Sequence, residues 1–198
     1  MNTAATPLQS YADGFAVLPR APARLQSLRE AALQRAIAKG FPGSRDEAWK
    51  YTSTAALERR GFMPATVPAQ LDPAAIAAAV IPSLDAWRLV FVNGRYQSGL
   101  SSLPDHIQAR TLDTNSPSTL SAPADWEQDT FFNLNTALFQ DGLMLEVAAA
   151  SRDERPVELL HLIVPQERPS AHHPRCVVQL GPQARCLLIE RYVGAADV

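Results

Sequence analysis

From Leu25 to Gly40, apolar residues recur at Leu25, Leu28, Ala32, Leu33, Ala36 and Ile37, the three-and-four spacing that lines one face of an α-helix. Lys39 in the last turn and Gly40 just beyond it supply a stop, the lysine favourable at the negative helix end and the glycine free to turn left-handed. "FPGSR" breaks the chain at Pro42 and Gly43, and the polar run "SRDEAWKYTS" follows. A second helix is expected in "DPAAIAAAVIPS", with Asp72 as cap, Pro73 in the first turn and Pro82 as terminator. The two prolines of "GFMPATVPAQ" make the stretch between them a linker.

The period changes at Trp87. "WRLVFVNGRYQSG" alternates around Asn93-Gly94, the dipeptide best suited to a tight hairpin turn, so two antiparallel strands are expected. "NSPSTLSAPAD" then reads as exposed loop, and "DWEQDTFFNLNTALFQDG" as a helix capped by Asp125 and stopped at Gly142, burying Phe131, Leu134, Leu138 and Phe139. From Leu143 onward four short strands, "LMLEV", "VELLHLIV", "CVVQL" and "CLLIERYV", are separated by turn-formers. In the last, Leu187, Ile189 and Val193 share one face and Leu188, Glu190 and Tyr192 the other. Sandwich, barrel and coiled solenoid all accommodate this pattern; the irregular connections fit a jelly roll or a loosely repeating β-helix.

Composition narrows the partners. The 198 residues carry 18 basic and 20 acidic side chains, a formal charge of -2 that gives no electrostatic footprint for nucleic acid or an anionic membrane. No apolar run approaches the roughly 18 residues of a membrane span, and the N-terminus lacks a signal peptide's basic start and long apolar stretch; a soluble cytoplasmic protein is expected. Cys176 and Cys186, the two cysteines, are too few for a disulfide framework and sit beside apolar residues, as buried thiols do.

Candidate chemistry is sparse. His161 lies in a strand, and His172 and His173 stand near Cys176 in "HHPRC". These are weak metal candidates, because the spacing matches no zinc pattern and adjacent histidines in extended chain point to opposite faces. Neither GxxxxGK[ST] nor GxGxxG occurs, nor G-x-S-x-G, nor H-E-x-x-H. Paired carboxylates such as Asp46 with Glu47 and Asp153 with Glu154 fall in charged loops, where a solvated surface is the default.

Two stretches carry a resemblance. "FPGSRDEAWKYTS" is similar to the segment after the first helix in the SufB/SufD family of iron-sulfur cluster assembly proteins, with Glu47, Trp49, Lys50, Tyr51 and Thr52 matching a Glu-x-Trp-Lys-Tyr-Thr pattern. "FFNLNTALFQDGLMLEVAA" and the strands after it resemble the start of that family's core, with Leu134 to Ala137, including Asn135, and Asp141-Gly142 in place. "VFVNGRY" matches the family's hairpin, and the SufD-like branch fits better than the SufB-like one.

The resemblance implies an α+β chain: an N-terminal helical region (1–85), a hairpin and connecting loop (86–124), and the beginning of a right-handed parallel β-helix (125–198), truncated after a few coils. It implies a non-enzymatic scaffold subunit that pairs with SufB and recruits the ATPase SufC, which binds ATP, while the complete complex handles an iron-sulfur cluster. The family's cluster-building cysteine and histidine and its SufC-docking region lie late in the longer family members, so no catalytic or cofactor-binding residue transfers here, and Cys176 and Cys186 do not take those roles. A cut β-helix exposes unpaired strand edges, so the chain is expected to self-associate through that edge, as a homodimer for example, or to be part of a longer one. The competing expectation is a jelly-roll metal-binding enzyme or small-ligand module using His161, His172 or His173. Trp49 and Tyr51 are both expected to pin the polar loop onto its neighbours while Asp46 and Lys50 face water.

Overall fold

The computed structural model describes residues 8–65, 73–112 and 126–194. Asp72, Asp125 and the segment "NSPSTLSAPAD" lie outside the described residues, so the caps and loop expected there carry no structural account. Contacts group the chain into two compact units, each assembled from three separate stretches: 1–66, 114–139 and 167–173 in the first; 67–113, 140–166 and 174–198 in the second.

The first unit is helical. Helix α1 spans Gln9–Ala16, α2 Ala23–Lys39, α3 Ala55–Arg60 and α5 Thr130–Leu138, and a two-residue strand β1 (Met63–Pro64) pairs in parallel with β7 (Ser170–Ala171). Its core gathers Leu8 and Tyr11 of the first segment, Ala32, Leu33 and Ala36 of α2, and Leu134, Ala137 and Leu138 of α5. The alanines at the α2–α5 contact are fully buried, which lets the two helices approach closely. Two positions depart from the apolar stripe: Ile37 is 41% exposed, and Arg29 takes the buried place. The Arg29 guanidinium donates to the Phe139 carbonyl at the end of α5 and lies 5.1 Å from the Phe139 ring centroid, so one long side chain satisfies an orphan helix carbonyl and fills apolar space.

Helix α5 is shorter than its sequence pattern suggests. Asp129 caps it, accepting from the Phe132 amide at 2.6 Å, and it ends at Leu138; Gly142 already belongs to a strand. The ends of α2 and α5 are tied by Thr130 Oγ1 donating to the Gly40 carbonyl at 2.6 Å, Lys39 Nζ to the Gln128 carbonyl at 2.6 Å and Arg35 Nε to Asn133 Oδ1 at 2.9 Å. Gly40 closes α2 at φ 75°, as its position demands.

The second unit is built on two sheets. Helix α4 (Pro73–Ala79) precedes the hairpin of β2 (Trp87–Val92) and β3 (Arg95–Tyr96); β4 (Ile107–Thr111), β5 (Gly142–Val147), β6 (Val157–Ile163), β8 (Arg175–Leu180) and β9 (Leu188–Gly194) follow. One sheet has the order β3-β2-β6-β9 and the other β4-β5-β8. Strands β2, β6 and β9 run parallel, as do β5 and β8; β2–β3 and β4–β5 are antiparallel. Successive strands β5, β6, β8 and β9 thus alternate between sheets, Gly142 lying opposite Arg175 and Val157 opposite Leu188. Leu89, Phe91, Val157 and Leu159 of one sheet meet Ile107, Leu143, Leu145 and Val147 of the other. Val90, Val92, Leu160 and Leu162 pack on the opposite face with Ile76 and Ala79 of α4. Covered on both sides, β6 reads as a nearly continuous apolar run.

The hairpin forms at Asn93-Gly94, with φ 47° and 77°. Asn93 also extends the sheet with its side chain, accepting from the Val164 amide at 2.8 Å and donating to its carbonyl at 3.1 Å. Leu187 is not part of the inward face expected for the last strand: it precedes β9 and is 59% exposed, while Ile189, Arg191 and Val193 form the more covered side. Helices α1 and α3 and strand β4 have no counterpart in the sequence pattern.

On the α4 side of the four-stranded sheet, Glu158 is fully buried between two arginines, 2.5 Å from Arg88 Nε and 2.6 Å from Arg191 Nη1, and Arg191 also donates to the Ala79 carbonyl at 3.1 Å. A carboxylate in an apolar interior is tolerated only when paired and hydrogen-bonded. Glu158→Ala leaves two arginines facing each other without their anion, and urea unfolding is expected to show a loss of about 3–5 kcal/mol; a loss below about 1 kcal/mol would show that the cluster is not structural.

Candidate functional site

The polar loop after α2 is closed by its own hydrogen bonds. Asp46 accepts from the Gly43 amide at 2.7 Å, folding the chain back on itself, and a single 3-10 turn follows over Glu47–Trp49. The Thr54 hydroxyl, buried, donates to the Pro42 carbonyl at 3.0 Å and closes the loop. Its two aromatics are used differently. Trp49 is half-buried with its ring 5.0 Å from Phe131 of α5, and the contacts continue from Phe131 to Phe41 at 5.7 Å, to Tyr11 at 5.9 Å and to His173 at 6.4 Å. Tyr51 pins nothing. It is 92% exposed, and its ring meets the Lys50 ammonium at 5.5 Å, while Lys50 also reaches Glu47 at 3.9 Å.

Exposure of Tyr51 corrects the expectation that both rings are anchors. The three-residue turn places Trp49 toward α5 and carries the chain outward before Tyr51. Glu47 and Thr52 are exposed beside it. A groove of about 290 Å³ runs along Trp49 between Glu47, Lys39 and Gln128, and a second of about 400 Å³ opens around Tyr51, Ser53 and Glu58. The Tyr51 ring therefore faces outward beside two open grooves.

The other motif residues act within their own units. Asn135 is half-buried in α5, and its carbonyl accepts the Phe139 amide at 2.9 Å as the helix ends. Asp141 accepts from the Tyr96 amide and from the Gly142 amide, both at 2.9 Å, fastening the hairpin to the start of β5. At Gly142 a Cβ would stand 2.9 Å from the Leu112 side chain and 3.2 Å from the Arg175 carbonyl, so a larger residue there requires Leu112 and the β8 backbone to give way.

The weak metal candidates fall apart by location. His172 and His173 belong to the first unit, His161 and Cys176 to the second. His172 Nε2 lies 3.2 Å from Ser170 Oγ, whereas His173 packs on Tyr11; burial, with some help from His172, pushes the His173 imidazole down to about 4. Burial pushes the Cys176 thiol up to about 11, with the Glu190 carboxylate adding to it, so Cys176 is a protonated thiol at neutral pH. Among the described residues no three His, Cys, Asp or Glu side chains converge as a group able to hold a metal ion.

Sequence reading overlooked two columns that become visible when three strands are written in register. "WRLVFV", "VELLHLI" and "LIERYVG" align so that Arg88 meets Glu158, and Phe91, His161 and Tyr192 share one rung position. The signal was charge in otherwise apolar strands, Arg88 in β2, Glu158 in β6 and Glu190 with Arg191 in β9, but local pattern does not say which of these meet.

Comparison with known proteins adds an independent line. The family model described as the SufBD protein N-terminal region matches residues 8–159. An iron-sulfur cluster assembly SufBD family protein of Synechocystis sp. is 29% identical over 161 residues, covering 77% of this chain and 35% of that protein. Iron-sulfur cluster assembly protein SufD of Escherichia coli is 28% identical over 167 residues, covering 83% of this chain and 38% of that protein. The chain therefore spans little more than a third of the length of these relatives.

Trp49→Ala is expected to cost about 1.5–3 kcal/mol in thermal unfolding, the sum of lost burial and the ring contact with Phe131. Tyr51→Ala should stay within about 0.5 kcal/mol of the parent. Equal losses for the two would refute the division of labour described for this loop.

Proposed function

Because this chain belongs to the SufBD family of iron-sulfur cluster assembly proteins, we propose that it works as a SufD-like scaffold subunit, pairing with SufB and recruiting the ATPase SufC. The iron-sulfur cluster is then the cargo of the whole complex, ATP is bound by SufC, and this chain performs no catalysis and holds no cofactor of its own. The observation that carries the reading is the family match over most of the described residues, with the SufD of Escherichia coli among the relatives. The exposed Tyr51 loop suits a contact role in such an assembly. No helix among the described residues is long and apolar enough to cross a membrane, which accords with a cytoplasmic place of action.

The second unit is, on this reading, the first coils of a right-handed parallel β-helix. Support comes from strands that alternate between two sheets and pair in parallel with the strand one coil earlier, β5 with β8 and β6 with β9. Among the described residues β8 and β9 lie last in their sheets, and Val178, Leu180, Leu187, Leu188 and Tyr192 are exposed there. In the 198-residue chain a second copy covers this edge, since unpaired backbone beside exposed apolar side chains is a template for strand addition.

Two measurements bear on these statements. Co-expressed with SufB and SufC, the polypeptide made from its entire reading frame is expected to co-purify with them as a complex; no complex overturns the scaffold reading. Light scattering of the 198-residue chain should return a multiple of 21.5 kDa. A monodisperse monomer would overturn the edge pairing and leave the scaffold reading standing.

A further inference from the structure

Between β6 and β8 the chain passes through residues 167–173, which belong to the first unit. Residues 167–169 are exposed, and the segment's backbone hold is the two-residue pairing of β7 with β1. There the Met63 amide donates to the Pro169 carbonyl at 3.2 Å and the Ala65 amide to the Ala171 carbonyl at 3.4 Å. So short a two-stranded ribbon is marginal in water by itself, and side chains must complete the attachment. Ala171 packs on the first unit's core, and two residues later the His173 ring meets the buried Tyr11 at 6.4 Å and 70°. The His173 side chain is half-buried as a whole, yet its Nε2 is sealed from solvent and has no hydrogen-bond partner. A neutral imidazole tolerates this, with its one proton on Nδ1 and a bare lone pair on Nε2. An imidazolium would instead bury a charged N–H with no acceptor.

We propose that residues 167–173 form a strap that acid opens: the neutral ring of His173, seated beside Tyr11, fastens β7 to β1, and protonation of that ring unseats it and frees the segment. Opening takes the carbonyl partners from the Met63 and Ala65 amides and brings water to Tyr11. The strap goes beyond the scaffold reading and does not depend on which proteins the chain binds.

The sign follows from burial. Enclosure lowers the proton affinity of His173, and the charge of the adjacent His172 lowers it further, to about 4 against an ordinary 6.5. In the open strap the ring is solvated and takes its proton at the ordinary value. The closed strap thus binds protons less well, so closure is fully present above 6.5 and is lost as pH falls from there toward about 4. The groups around the ring do not reverse this. The Tyr11 phenol of α1 is pushed up by burial, away from this range, and beyond it stand the uncharged Phe41 and Phe131. On the segment itself His172, whose Nε2 lies 3.2 Å from Ser170 Oγ, is the one charge among the described residues that acts on His173, and no carboxylate opposes it. Arg175, two residues further on, keeps its charge throughout.

Hydrogen–deuterium exchange of the whole chain between pH 8 and pH 4, corrected for intrinsic exchange, reads the strap at the Met63 and Ala65 amides. Their protection should be level above the ordinary histidine value and fall by up to tenfold for each pH unit below it, while α2 amides stay protected. His173→Phe, which keeps a ring beside Tyr11 and removes the proton, should flatten the profile. His172→Gln should retain most of the acid loss. A wild-type profile matching that of His173→Phe, an acid loss abolished by His172→Gln, an equal loss in the α2 amides, or protection that rises on acidification overturns the strap. Should His173→Phe fail to fold, an NMR titration of the His173 ring in the parent chain decides: titration below the ordinary histidine value supports the strap, and titration at or above it overturns the strap.

Discussion

Parallel register is the constraint on which the second unit depends. A parallel pair cannot be joined by a tight turn, so the chain must leave the sheet between β2 and β6, between β6 and β9, and between β5 and β8. Part of what it does in those intervals is build the second sheet, and part is build α5 and β7 of the other unit. The interleaving of the two units along the sequence is thus a consequence of the strand order. Parallel partners in register keep the same side of the sheet, so Phe91, His161 and Tyr192 stand at one level and Val92, Leu162 and Val193 at the next, whereas Arg88 and Glu158 stand level with Ile189, and Arg191 with Val90 and Leu160.

Partners on neighbouring strands explain how so apolar a sheet tolerates polar groups. Glu158 is buried only because Arg88 and Arg191 stand on its two neighbouring strands. Asn93, in a left-handed turn, satisfies the backbone of Val164 with its amide, and Asp141 ties the hairpin to β5 through the Tyr96 amide. Each is a polar side chain standing in for a missing strand bond. The first unit meets the same need at helix ends, where Arg29, Lys39 and Thr130 reach carbonyls across the α2–α5 contact.

Elements with strong local periodicity were legible in the sequence: α2, the Asn93-Gly94 hairpin and the four later strands all lie where the pattern puts them, within a residue or two. What local pattern could not carry was pairing. The stripe of α2 suggested Ile37 inside and Arg29 outside, yet Arg29 is held in by Phe139, more than a hundred residues away in sequence. Helix α5 was drawn too long because Asp129 and Gln128, which set its start, act through Phe132 and Lys39. Of the motif loop, Trp49 packs on Phe131 and Tyr51 faces water, since Trp49 closes the three-residue turn and the chain runs outward through Lys50. The family resemblance, by contrast, rests on residue identities at fixed spacing and was fully readable without any structure.

The family reading of the second unit rests on strands stacked in parallel register. Disulfide trapping reads that register directly. With Cys176 and Cys186 replaced by serine, Glu146→Cys and Gln179→Cys stand opposite each other on the outer face of β5 and β8, within the Cα separation a disulfide accepts. Mild oxidation is predicted to close this pair and to leave the Glu146→Cys, Val177→Cys pair, two residues out of register, reduced; efficient closure of the second pair but not the first would contradict the parallel register and everything built on it.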